Sequence, residues 1–211
     1  MLKTIIIEHE ASVRENLRNI IDRHCPNVMV IAGAGDLDSG EQIIQKLKPD
    51  LVFLSIDKGL NKALEMLEKF SPLEFKVIFL ADWEKSNIRP FRFCCLDYLD
   101  RPPDPQELKA AVAISKKIPQ QDFNLQLEIL KDHLPGGHQS QGKIIIPSSG
   151  SLLPVSISDI EYLRSEGNFT YLHLRGGQSI LASNTLMEFK NMLGEFGFIM
   201  QQHSLVKGRQ L

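Results

Sequence analysis

No apolar run in this 211-residue chain approaches the length of about eighteen that a membrane-spanning helix needs. A membrane partner is therefore not expected. The first residues, Met1 to Glu8, lack the long apolar core and small-residue cleavage site of a signal peptide and read as a first strand. Cysteine is scarce. Cys25, Cys94 and Cys95 are odd in number and have no metal-ligand spacing, which excludes a disulfide scaffold and a thiolate metal centre and leaves reduced thiols in a cytoplasmic protein as the expectation. His133 and His138 have no cysteine or carboxylate at useful spacing, so they predict no metal. Charge of either sign is not in excess: the net value of −2 argues for no class of partner. Apolar content of 43% and charged content of 24% are those of an ordinary globular protein, and the length suits two domains.

The chain does have alternation. Strand-like runs at Leu2–Ile7, Val28–Ala34, Leu51–Ser55, Val77–Ala81 and Cys95–Leu99 interleave with helix-period stretches. Those stretches are Ala11–His24, Ser39–Leu47, Asn61–Phe70, Glu84–Phe93 and Asp104–Lys117. Strand then helix, repeated with short connections, predicts a doubly wound parallel sheet over residues 1–117, with its site beyond the carboxyl ends of the strands. Residues 118–142 read as a polar, glycine-rich linker with a short helix at Asn124–Lys131. After Lys143 the period changes to two. Strands are predicted at Lys143–Pro147, Leu152–Val155, Ile160–Ser165, Thr170–Leu174 and Ser179–Ser183, with a helix at Leu186–Leu193 stopped by Gly194.

The strand ends of the first domain resemble those of two-component receivers. Glu8-His9-Glu10 follows strand one, Ser55 ends strand three, Ala81 ends strand four, and Arg101-Pro102 follows Leu96-Asp97-Tyr98-Leu99-Asp100. The resemblance implies a five-stranded, flavodoxin-like receiver fold. It also implies a phosphorylation pocket of paired acids, aspartate, hydroxyl and lysine, in which every place but Glu8 and Glu10 has changed. Phosphoryl transfer to such a pocket needs a carboxylate nucleophile, magnesium and a cation on the product oxygens. Ser55 removes the nucleophile, His9 puts nitrogen where magnesium favours oxygen, Ala81 removes the hydroxyl, and Arg101 keeps charge without lysine's compact ammonium. Asp57 lies two residues late and is not expected to substitute. Glu8 and Glu10 read either as solvated acids or as residual metal ligands. The resemblance further implies a homodimer face over the fourth helix, fifth strand and fifth helix, with Arg89, Arg92 and Asp97 as candidates for reciprocal ion pairs.

The second domain resembles the LytTR DNA-binding family through Asp159-Ile160-Glu161-Tyr162-Leu163, then Glu166-Gly167-Asn168-Phe169-Thr170, in the expected order. The resemblance implies DNA contact through loops of a mostly β fold. Asn168 falls in the first contact loop, where it can read an adenine edge or simply form a turn. The second loop is degraded: Met200 and Gln202 replace the family's Arg and His, His203 takes a base-contacting place, and Ser204 can bond a phosphate. Lys207 and Arg209 are the cations that follow. From Lys143 onward six Lys or Arg face five Asp or Glu, which is little basic excess for DNA. The domain is expected to be incomplete at its C-terminus.

Together these readings predict a cytoplasmic two-component-type transcriptional regulator, not an enzyme, without cofactor or bound magnesium. Its receiver is phosphorylation-defective. Its partners are double-stranded DNA bound weakly or conditionally, a second copy of itself, and another response regulator or a sensor kinase. The alternative is an interaction protein that dimerises with an intact regulator and does not bind DNA.

Overall fold

Short runs of Ile, Val, Leu and Phe too apolar to face water on either side require cover on both faces, and a parallel sheet flanked by helices provides it. A computed structural model describes residues 1–57, 59–82, 98–133, 142–148, 151–167 and 169–207. Five strands, β1 (Leu2–Ile7), β2 (Val28–Ala34), β3 (Leu51–Ser55), β4 (Lys76–Ala81) and β5 (Tyr98–Asp100), form one parallel sheet in the order β2-β1-β3-β4-β5. That order is the flavodoxin-like one, and its chain reversal lies between β1 and β3. Leu51 to Leu54 are all at most 1% exposed, so both faces of β3 are dry. Phe53 packs with Ile6, Leu17, Ile78 and Leu108 in one cluster.

Helices α1 (Ala11–His24), α2 (Leu37–Leu47), α3 (Leu60–Glu68) and α4 (Pro105–Lys117) cover the sheet. Their ends have local causes. Asp36 accepts a hydrogen bond from the Ser39 amide at 2.8 Å, which starts α2 two residues earlier than the periodicity alone predicts. Asp104 accepts from the amides of Gln106 and Glu107, and Pro105 stands in the first turn of α4, where a missing N–H costs nothing. A Cβ on Gly40 would lie 2.6 Å from the Ile7 Cδ1, so α2 approaches β1 as closely as only glycine permits. The helix expected at Glu84–Phe93 lies outside the described residues.

Helix α5 (Gln120–Asp132) is longer than the short helix read from the sequence, and it fills much of the stretch read as linker. Phe123, Leu127 and Leu130, at helical spacing, are all at most 5% exposed. The Gln120 side chain caps two free carbonyls, Leu73 O at 2.9 Å and Phe75 O at 3.0 Å. The chain divides into two compact units, and the division falls within α5 between Leu125 and Gln126.

The second unit is antiparallel. A hairpin of β6 (Lys143–Ser148) and β7 (Ser151–Ser156) is one sheet. β8 (Ile160–Glu166), β9 (Phe169–Leu174), β10 (Ser179–Ala182), β11 (Phe198–Gln201) and β12 (Ser204–Lys207) make another, in the order β10-β9-β8-β12-β11. Helix α6 (Leu186–Leu193) packs Phe189 and Leu193 against Leu163, Leu172 and Leu205, all 0% exposed. A reciprocal capping box between Thr185 and Glu188 starts it. The helix stops at Leu193, as the sequence predicts, with Gly194 as its cap at right-handed angles. A short 3-10 turn follows, and the left-handed residue is Gly197 at φ 79°. Among the described residues no helix is long and apolar enough to cross a membrane.

Candidate functional site

Where β1 ends, the chain must leave the sheet, and the Glu8 amide donates to Ala34 O at 3.0 Å to hold the exit in place. That exit leaves the Glu8 carboxylate inside, with its side chain 0% exposed. A buried carboxylate needs partners. Glu8 Oε1 accepts from the Glu10 amide at 2.8 Å and from Arg101 Nη2 at 3.0 Å, with His9 Nδ1 also at 3.0 Å. Glu8 Oε2 lies 3.0 Å from Arg101 Nε, but the pair is not aligned for a directed hydrogen bond, so this contact is ionic.

Arg101 reaches this place from beyond β5. Its side chain is 8% exposed and meets three carboxylates: Glu8, Glu10 at 3.2 Å from Nη2, and Asp57, whose Oδ2 contacts Nη1. One planar fork thus joins the ends of β1, β3 and β5, a geometry that suits guanidinium and not ammonium. His9 Nε2 lies 3.7 Å from Glu10 Oε1 and adds a second cation when protonated.

The other expected positions surround this cluster. Ser55 ends β3, and its hydroxyl is buried with no hydrogen-bond partner among the described residues. Ala81 ends β4 at 1% exposure. A cavity of about 240 Å³ opens beside them, with Ser55, His9, Asp36 and Lys62 on its walls. Two sequence readings change. Glu8 is not a solvated acid but a buried, paired one. Asp57, set aside as too late in the loop, turns back into the cluster because Arg101 draws it there. No spacing rule links residues 57 and 101, so sequence could find each member without finding the pairing.

Glu8, His9 and Asp57 each offer one ligand atom within 4.8 Å of the others. As donors, one nitrogen and two carboxylates suit a transition metal better than magnesium, which favours an all-oxygen shell. The guanidinium, moreover, already lies on the oxygens of both carboxylates. The residues present do not fit a receiver's magnesium.

In the second unit, two hairpin ends meet. The Ser165 amide and hydroxyl donate to His203 O at 2.9 and 3.3 Å, which sets the β11–β12 turn beside the β8–β9 turn. His203 is exposed there, after Gln202 at φ 50°. The Ser204 hydroxyl donates to Gln201 O at 3.0 Å. Lys207 is not with them. It pairs in register with Phe198 at the opposite end of β12, and its Nζ lies 5.9 Å from that ring's centre. Asn168 and Arg209 lie outside the described residues, as do Arg89, Arg92 and Asp97 of the expected dimer face.

Curated relatives match along most of the chain. An uncharacterized response regulatory protein of Yersinia pestis is 28% identical over 89% of this chain and 76% of its own length. The sensory transduction protein LytT of Bacillus anthracis is 22% identical over 98% and 82%. The transcriptional regulatory protein BtsR of Escherichia coli is 24% identical over 88% and 75%. Among solved structures, the receiver domain of AraT from Geobacillus stearothermophilus aligns at 25% identity and a TM-score of 0.48, covering 55% of this chain and 93% of that one. No protein-family model matches. The chain is thus a homologue of response regulators, built as a receiver-type α/β unit followed by an antiparallel unit of LytTR type.

Proposed function

We propose that this chain is a transcriptional regulator whose receiver-type unit works without phosphorylation, and that its second unit contacts double-stranded DNA through the paired hairpin ends. The observation that carries the reading is the Arg101 fork on Glu8, Glu10 and Asp57. A receiver needs an external cation to gather its acids and a free carboxylate to attack phosphorus. Here the chain's own guanidinium gathers the acids, and the residue at the end of β3 is a serine whose hydroxyl has no hydrogen-bond partner among the described residues. The pocket then has no use for magnesium, no catalytic step to perform, and one resting arrangement. A phosphoryl group cannot shift a population whose ends are already tied. The setting is cytoplasmic, with a second copy, another response regulator or a sensor kinase as protein partner.

The DNA reading rests on His203 at the shared turn and on Ser165, which ties the two hairpins into one contact edge. Fluorescence anisotropy on direct-repeat duplexes tests it. His203→Ala is expected to reduce discrimination between sites by about 1–3 kcal/mol, with added acetyl phosphate and magnesium changing nothing. Lys207→Ala is expected to leave the salt dependence nearly intact, since Lys207 packs on Phe198 away from the turn. The near balance of charge after Lys143 favours the second reading, an interaction protein that dimerises with an intact regulator. Absence of any binding, with co-purification of such a regulator, would establish that reading instead.

A further inference from the structure

Three segments of the second unit close around one imidazole. Helix α5 ends at Asp132, and His133 finishes it: its amide donates to Leu130 O at 3.2 Å, and its ring Nδ1 lies 2.8 Å from Ile129 O. A carbonyl only accepts, so Nδ1 carries the proton of the neutral ring and Nε2 carries none. The ring meets Phe196 edge-on, with centroids 6.4 Å apart and planes at 84°. The chain entering β6 passes on the Nε2 side. A Cβ on Gly142 would lie 3.6 Å from Nε2, 3.3 Å from the Phe196 ring and 3.2 Å from Ile157 Cδ1. Gly142 is itself tied, since its carbonyl accepts from the Ile157 amide at 2.7 Å. Nε2 is shut off from water there. The neutral ring thus fills the joint between the end of α5, the entry to β6 and the turn that follows α6.

A proton added at Nε2 sets a charge in that dry joint, which costs free energy. Charged groups stand on every element packed against the ring: Lys131 and Asp132 on α5, Lys143 at the start of β6, Asp159 in the turn after β7, and Glu195 before Phe196. Asp132 is the one whose charge acts on the ring, and it favours the cation, as does the negative end of the helix. Burial outweighs them: it lowers the pKa from the ordinary 6.5 against the bond to Ile129 O and the charge of Asp132, which raise it. We propose that His133 is a proton-operated latch on α5: neutral, it holds the end of the helix in the second unit, and protonated, it lets that end go. The latch is closed above 6.5 and opens as pH falls below it, the open form gaining about tenfold per pH unit until the folded value is reached. Opening is confined to the end of the helix, because its first half is held separately in the first unit, by Gln120 on Leu73 O and Phe75 O and by Asn124 on Leu73 O. The chain passes from the first unit to the second within α5, after Leu125, so the latch acts on the connection itself. It needs no phosphoryl group and shares no residue with the Arg101 cluster, so its failure would leave the reading of that cluster untouched.

Hydrogen exchange of the full chain, read by mass spectrometry and corrected for the intrinsic rate at each pH, tests it, with circular dichroism to verify folding of each variant. Between about pH 7.5 and about pH 5.5 the amides of Leu127 to Asp132 are expected to lose roughly tenfold in protection. The first half of α5 and strands β8 and β9 keep theirs. His133→Phe, which keeps a ring against Phe196, removes the pH difference and stays protected at both values. Asp132→Asn moves the onset of opening to lower pH, since the charge that favours the cation is gone. Protection that does not change with pH overturns the proposal. So does a loss that persists in His133→Phe, a loss spread evenly over the second unit, or an onset that Asp132→Asn leaves in place or raises.

Discussion

Buried charge persists in a protein only in company, and Glu8 and Arg101 are each other's company. Removing one strands the other. Arg101→Ala is expected to destabilise the first unit by about 3–5 kcal/mol, measured as a lower midpoint in urea unfolding. Glu10→Ala should cost far less, because Glu10 is half exposed and makes only the outer contact. Arg101→Lys is expected to fall between them, since an ammonium cannot reach three carboxylates in one plane. A second residue makes stability depend on pH. His133, at the end of α5, is packed edge-on to Phe196, and burial lowers its pKa from the ordinary 6.5, only partly offset by its bond to Ile129 O and by Asp132. The unfolded chain therefore binds the proton first. Stability is complete above 6.5 and declines as pH falls below it towards the depressed folded value. Melting of the native chain on either side of that pH should show the decline, and His133→Phe, which keeps a ring against Phe196, should remove its histidine component.

Elements carry the sequence's clearest signals and its clearest failures. Strands β1, β3 and β4 could be read almost to the residue because each is a short, mostly buried apolar run between turn signals, and β2 equally so although this edge strand is buried only at Val28 and Ala34. Helix α5 looks shorter in the sequence than it is because its first turn, Gln120-Gln121-Asp122, is polar, and only the tertiary bonds of Gln120 to Leu73 and Phe75 show why it belongs to a helix. The stop of α6 at Leu193 falls where the sequence places it, with Gly194 as the cap, although the left-handed residue comes only at Gly197 after a short 3-10 turn. Its start, by contrast, has an obvious cause in Thr185 and Glu188. Thr185→Ala is expected to cost about 1 kcal/mol, seen as a small fall in the melting temperature of the second unit, whereas Met187→Ala at an exposed position should change little.

At the scale of the molecule, topology does what spacing cannot. The order β2-β1-β3-β4-β5 gathers residues 8, 55, 57, 81 and 101 at one end of one sheet, so the identity of the site residues could be read from strand ends alone. Their pairing could not, because it depends on how far an arginine side chain reaches and on which loop turns back to meet it. The same holds in the second unit, where the Ser165–His203 bond joins hairpins 38 residues apart and leaves Lys207 at the far end of its strand. The central claim is that this receiver-type unit holds its acids with its own arginine and accepts no phosphoryl group. Incubation of the full chain with acetyl phosphate and magnesium, followed by intact-mass measurement, tests it most directly. The expected result is an unchanged mass, with Arg101→Ala also unmodified because Ser55 still supplies no carboxylate. An acid-labile phosphoryl adduct on Asp57 of the native chain would contradict the account.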